Sequence, residues 1–260
     1  MAIPKIIHYC WFGRGDLPED VLKCIESWKK HCPDYELIRW DEDNYDYSKC
    51  RYTKEAYEHR KWAFVSDVAR LDIVYRFGGI YLDTDVELVK SLDPLLQEPA
   101  FMAFEQGRKV ATGLGFGGEK GNWLIGKNLE EYLKRPFVQE DGTLDLTPCP
   151  IITTEVFERY GLVRENKFQR LNEMTIFPAD YFSPMVLSDG SAEITKNTVS
   201  IHHAAGTWTT DAEKRAVMRR RQVYTKFGRK GLRIYDGFVL LRTHGLKAVL
   251  CRCKEIIQGK

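Results

Sequence analysis

Three carboxylates and one arginine stand where they could handle a cation and a phosphate. Asp83 and Asp85 are two residues apart, and they follow Phe77-Gly78-Gly79-Ile80-Tyr81-Leu82, a glycine break and then a short apolar run. Two carboxylates so spaced at a strand tip can share one hard cation. Mg²⁺ or Mn²⁺ prefers such oxygens and keeps positions open for phosphate. An isolated Asp-x-Asp occurs by chance in surface loops, so its weight comes from the apolar strand before it. The aspartyl-phosphate motif of phosphatases is the rival reading, but it carries Thr or Val at the fifth position and comes early in its fold. Here the fifth position is Glu87. Ser66, Asp67 and Arg70 fall within an arc of about 100° on a helix and offer a hydroxyl, a carboxylate and a guanidinium on one face. The plain alternative is an exposed Asp67–Arg70 pair contributing about 0.2–0.5 kcal/mol. His202 and His203 are adjacent. On a strand they point to opposite faces, so one of them could complete a metal shell begun by the Asp pair. A structural role in a polar loop is the alternative. Trp11, just past a first apolar run, could stack on a nucleobase or simply pack in the core.

These residues need elements to hold them. Lys5–Tyr9 reads as a first strand, and Phe12-Gly13-Arg14-Gly15-Asp16 breaks it. A helix then starts at Pro18 and carries Val21, Leu22, Ile25 and Trp28 at helical spacing. Tyr35–Trp40 is a second strand. A long helix is predicted over 53–77, with Phe64, Val68, Leu71 and Tyr75 on one stripe. Gly78 and Gly79 end it, and Ile80-Tyr81-Leu82 delivers Asp83 to a strand tip. Strand–helix–strand–helix–strand predicts an α/β sheet with parallel strands, whose ligands bind just past the carboxyl ends of strands. Further on, 101–104 and 198–202 read as strands, 113–121 as a glycine-rich loop, and 122–133 and 151–160 as helices. The tail is expected to be helical in two pieces around Gly228 and Gly231.

Composition bounds the rest. At 260 residues, with 43% hydrophobic and 29% charged, the chain is an ordinary folded protein. Seven scattered cysteines make no zinc array, and reduced thiols and a cytoplasmic address are expected. The N-terminus has no signal-peptide pattern, and no run approaches the ~20 apolar residues of a membrane span. Residues 211–260 carry 14 Lys and Arg against 4 Asp and Glu, while the first 210 carry 25 against 33. The division expected is a main domain over 1–210 and a basic extension over 211–260. The extension should meet phosphates or an anionic membrane surface, or else the acidic body of its own molecule. Arg219-Arg220-Arg221 has little aromatic interleaving and no nucleic-acid motif accompanies it, so no nucleic-acid partner is expected.

Three segments carry a family resemblance. Residues 3–13, Ile3-Pro4-Lys5-Ile6-Ile7-His8-Tyr9-Cys10-Trp11-Phe12-Gly13, resemble the opening of glycosyltransferase family 32, the enzymes with a DXD sugar-binding region. Ser66-Asp67-Val68-Ala69-Arg70 and Arg76-Phe77-Gly78-Gly79-Ile80-Tyr81-Leu82-Asp83-Thr84-Asp85 resemble its central block, and also the catalytic domain of the clostridial glucosylating toxins. Ile201-His202-His203 to Gly206-Thr207-Trp208 is similar to its C-terminal element, with Thr207 where Ser is commoner. The resemblance implies a GT-A fold: one α/β domain, a mixed sheet flanked by helices. It implies a metal-dependent transferase, using Mn²⁺ or Mg²⁺ and a UDP- or GDP-sugar, that retains configuration and acts on a glycan or lipid-linked glycan in bacterial surface polysaccharide synthesis. Residue by residue, it implies that Trp11 stacks on the base. Ser66, Asp67 and Arg70 contact the sugar or diphosphate, Tyr81 lines the nucleotide pocket, and Asp83 binds ribose, sugar or metal. Asp85 ligates the metal with His203 or His202, of which the spacing to Gly206 favours His203. Thr207 and Trp208 join the donor site. A non-catalytic sugar-nucleotide-binding or carbohydrate-binding protein on the same fold is the alternative.

Overall fold

The structure is a computed structural model. It describes residues 3–204 and 211–257, without the side chains of 213–214 and 243–257. In chain order the elements are β1 (Ile6–Cys10), α1 (Glu19–His31), β2 (Glu36–Trp40), α2 (Arg51–Glu58), α3 (Trp62–Phe77), β3 (Gly79–Tyr81), β4 (Val86–Leu88), β5 (Ala100–Phe104), β6 (Val110–Ala111), β7 (Phe116–Gly118), α4 (Trp123–Leu133), α5 (Cys149–Glu158), β8 (Gln169–Leu171), β9 (Met174–Phe177), β10 (Ser200–His202) and α6 (Asp211–Ile257). The chain forms two compact units, Met1–Pro184 with Ile194–Ala205, and Met185–Glu193 with Gly206–Lys260.

The first unit is an α/β layer structure. Its main sheet runs β2-β1-β3-β7-β5-β9-β8, with β6 paired to β5. β1 lies parallel to β2 and β3, β7 runs antiparallel to both β3 and β5, and β5 and β9 are parallel. The sheet is therefore mixed. Side chains alternate between its faces. Ile7, Ile80, Phe101 and Ala103 enter one apolar cluster with Trp28 of α1. Tyr81, Met102 and Phe104 enter the other, with Phe64, Val68 and Leu71 of α3.

α1 follows Pro18, its N-cap residue, with Glu19 and Asp20 in its first turn and Lys29 and Lys30 in its last, charges that suit the two ends of the helix dipole. Its Trp28 is fully buried, and the indole Nε1–H donates to the Val86 carbonyl at 2.7 Å. Ser27 Oγ accepts from the Leu88 amide at 2.9 Å. One helix thus fixes both ends of β4, the strand that leaves the Asp pair.

The long helix predicted over 53–77 is two helices. Arg60 takes φ +56. The Arg60 amide donates to Tyr57 O at 2.9 Å and the Lys61 amide to Ala56 O at 2.8 Å. These are the two bonds of a Schellman cap, with arginine at the position where glycine is usual. The predicted loop over 113–121 contains strand β7. Its glycines answer close packing: a Cβ at Gly117 would sit 2.6 Å from Phe101, and one at Gly118 2.6 Å from Ile125. The sequence reading places no strand at β4, β6, β8 or β9. In the second unit, a short turn with Val186 bridged to Ala192 is tied to α6 by the Tyr224 hydroxyl, which donates to Glu193 at 2.5 Å.

Candidate active site

Asp83 stands just past the carboxyl end of β3, where a parallel sheet offers its crevice. The approach is made by two glycines. Gly78 caps α3 at φ +72, ψ −169, a conformation essentially confined to glycine. It lets the chain turn at once into β3. Alternation then sends Ile80 to the α1 side and Tyr81 to the α3 side, and Asp83 follows Tyr81.

Arg70 meets it there. Nη1 donates to Asp83 Oδ1 at 3.0 Å and Oδ2 at 3.2 Å, and Nη2 pairs with Asp67 Oδ1 on the preceding helical turn. The Arg70 side chain is only 3% exposed, and its guanidinium lies 5.7 Å from the Tyr81 ring centre. The exposed Asp67–Arg70 pair considered above is thus corrected to a buried bridge between two carboxylates. The short turn Thr112–Leu114 closes the other side of Asp83: a Cβ at Gly113 would lie 2.5 Å from Asp83 Oδ2 and 3.4 Å from Arg70 Nη1. Only a bare α-carbon fits.

The last parts come from the small β4–β10 sheet. It pairs His202 with Val86 antiparallel, and the His203 amide donates to the Asp85 carbonyl at 3.0 Å. His202 Nε2 lies 3.3 Å from Asp85 Oδ1. Ligand atoms of Asp83, Asp85 and His202 all lie within 4.8 Å of one another. His203 points the other way and pairs with Glu87 Oε2 at 2.9 Å. The sequence reading preferred His203, but the pairing of β10 turns the His202 ring, not that of His203, toward the Asp pair. Enclosure lifts the Asp83 carboxyl above its ordinary range against the pull of Arg70, and Asp85 adds to the lift. Burial works against a charged His202 ring, yet Asp85 and Asp83 together hold it above its ordinary value. Two crowded carboxylates and an imidazole, partly exposed, suit a divalent cation of the Mg²⁺ or Mn²⁺ type. A cation there would offset the burial and the neighbouring Asp85 charge that raise Asp83.

Trp11 follows β1, half-buried, and its Nε1–H donates to the Gly15 carbonyl at 2.7 Å. The turn it belongs to is braced by Glu42 Oε1, which accepts from the Gly13 amide at 2.7 Å and from the Tyr57 hydroxyl at 3.0 Å. Trp62 packs over Gly13, where a Cβ would meet its Nε1 at 2.7 Å. Ser66 Oγ donates to the Trp62 carbonyl at 3.2 Å. Tyr81 is 1% exposed and backs Arg70 from inside the core. Thr207 and Trp208 lie outside the described residues. The sequence reading missed Gly113, Glu42 and Trp62. Gly113 alone left a trace, as one of a glycine run.

Comparison with known proteins agrees with the resemblance read from the sequence. Residues 18–102 match the model of the family described as "Glycosyltransferase sugar-binding region containing DXD motif". Inositol phosphoceramide mannosyltransferase 3 of Schizosaccharomyces pombe is 36% identical over 105 residues, which are 39% of this chain and 29% of that protein. A mannosyl phosphorylinositol ceramide synthase of Saccharomyces cerevisiae is 35% identical over 104 residues, 38% of this chain and 27% of that protein. The chain thus spans less than a third of the length of these relatives. Among solved structures, the PaToxG glycosyltransferase aligns with TM-score 0.47 and 19% identity over 61% of this chain and 69% of that one. The galactosyltransferase LgtC aligns with TM-score 0.46 and 14% identity over 82% and 93%. The matched stretch, residues 18–102, includes Asp67, Arg70, Asp83 and Asp85.

Proposed function

We propose that this chain transfers a hexose from a nucleoside-diphosphate sugar to a hydroxyl of a membrane-presented glycan or glycolipid, with a divalent cation held by Asp83, Asp85 and His202. The observation that carries the reading is that cluster, with atoms within 4.8 Å, set beside a buried arginine at the end of a strand. When bound, such a cation supplies positive charge to the departing diphosphate. The chain's own residues do the rest. Arg70 holds Asp83 in one orientation through two hydrogen bonds, so the carboxylate needs no rearrangement as charge develops. Asp67 and Ser66, on the same face of α3, meet the sugar hydroxyls, and Trp11 stacks on the base from the β1–α1 turn. Transfer with retention of configuration needs no protein nucleophile if the acceptor attacks from the face of the leaving group. The Schizosaccharomyces pombe relatives are named as mannosyltransferases, so GDP-mannose is the first donor to test. A cytoplasmic enzyme elongating a surface polysaccharide, capsule or lipopolysaccharide, would meet an acceptor of the same chemistry.

The test is a donor screen. The protein is incubated with GDP-mannose, UDP-glucose, UDP-galactose and UDP-N-acetylglucosamine in Mn²⁺, and released nucleoside diphosphate is measured with and without EDTA. One donor should be turned over, and EDTA should stop it. Binding of a donor without any release would favour the sugar-nucleotide-binding alternative.

A further inference from the structure

The helix Asp211–Ile257 is not a straight rod. Arg220 makes a two-pronged pair with Asp236, Nε to Oδ1 at 2.9 Å and Nη2 to Oδ2 at 2.8 Å, although the residues are sixteen apart. A straight helix would separate them by about 24 Å. The reversal falls at Gly228, with φ +61, and a Cβ added at Gly231 would run into that of Phe227. The segment is a helical hairpin; the sequence reading expected two helical pieces around Gly228 and Gly231 but not the reversal.

Its second arm has two unlike faces. Leu232 is 7% exposed and Asp236 is the partner of Arg220, so 232 and 236 look inward. Ile234, Phe238 and Leu241 fall within about 60° of one another on the opposite face, and they are 75%, 61% and 41% exposed. Arg233 borders this stripe on one side and Arg242 on the other. At the hairpin tip Phe227 is 60% exposed, between Lys226 and the pair Arg229-Lys230. From 226 to 235 there is no acidic residue.

We propose that this hairpin is an interfacial anchor for an anionic lipid surface. Phe227 and the Ile234–Phe238–Leu241 stripe enter the boundary between headgroups and acyl chains, while Lys226, Lys230, Arg233 and Arg242 meet lipid phosphates. Large apolar side chains flanked by cations on one helical face are what such a surface selects. A nucleic acid would use the cations and an aromatic ring but gains nothing from Ile234 and Leu241, and an acidic protein has no need of a stripe rimmed by arginine. No helix among the described residues is long and apolar enough to cross a membrane, so the contact proposed is with the surface.

The test uses the full chain and reads binding alone, so it stands apart from the transferase reading. Co-sedimentation is measured with phosphatidylcholine vesicles and with vesicles that also contain phosphatidylglycerol. The protein should bind only the mixed vesicles and should release progressively with salt. Ile234→Asp/Phe238→Asp and Lys230→Glu/Arg233→Glu should each weaken binding at least about tenfold, with the circular-dichroism melt unchanged. These positions are on the outer face, so their loss should leave the fold intact. Absence of binding to mixed vesicles overturns the proposal, as does binding that the apolar double variant leaves unchanged. Light scattering that shows a dimer lost in Ile234→Asp/Phe238→Asp would assign the stripe to a second copy and overturn it too.

Discussion

Arg70 is the residue on which the site turns, because it is buried and answers two carboxylates at once. Removing one partner of a buried charge cluster costs about 3–5 kcal/mol. Arg70→Ala should therefore lower urea stability by that order, whereas a surface pair would barely move it. Trp11 behaves differently, being half-exposed. Trp11→Ala should weaken nucleotide binding by about 1–3 kcal/mol and shift the melt little. A collapse of the fold with normal binding in the folded fraction would return Trp11 to the core. His8 gives a pH signature. Trp40 Nε1–H donates to its Nδ1 at 3.1 Å, so its Nε2–H donates to the Gly78 carbonyl at 2.9 Å and the ring is neutral. Burial lowers its pKa below 6.5. The stability it contributes is full above pH 6.5 and is lost as pH falls from there through the folded value. Melts in EDTA from pH 8 to pH 5 should show that loss, and His8→Gln should flatten it. An identical slope in the variant would assign the loss elsewhere. Asp67, Arg70, Asp83 and Asp85 were legible in the sequence as types at informative spacings. That Arg70 is buried was not, because an Asp at i−3 looks the same on an exposed face.

The elements explain which of two equal neighbours enters the site. β10 pairs with β4 so that His202 turns to Asp85 and His203 to Glu87. His202→Ala should reduce metal-dependent turnover far more than His203→Ala, and equal small effects would contradict the assignment. Adjacent histidines alternate on any strand, and only the pairing partner, distant in sequence, fixes the sense. The same reason hid Gly113. Its role is a close approach to Asp83 from another element. Gly113→Ala should cost about 10–100-fold in metal affinity, as disturbed partners of a ligand do. The strand–helix order through Leu82 was readable because periodicity and glycine breaks are local. The cap at Arg60 was not, since it uses a residue that carries no stop signal.

At the scale of the whole molecule, the first unit gathers one site from strand ends, a helix face, a turn and a second small sheet. These span 11 to 202, and only those between 18 and 102 lie within the matched family region. The central claim is that Asp83, Asp85 and His202 hold a divalent cation against a nucleoside diphosphate. A Mn²⁺ titration followed by electron paramagnetic resonance, with and without GDP or UDP, tests it most directly. The account predicts a single Mn²⁺ site per chain that tightens when one of the diphosphates is present and disappears in Asp85→Asn, with the circular-dichroism melt of the variant unchanged. Mn²⁺ binding that is equal in Asp85→Asn, or no Mn²⁺ binding with either diphosphate, would contradict it.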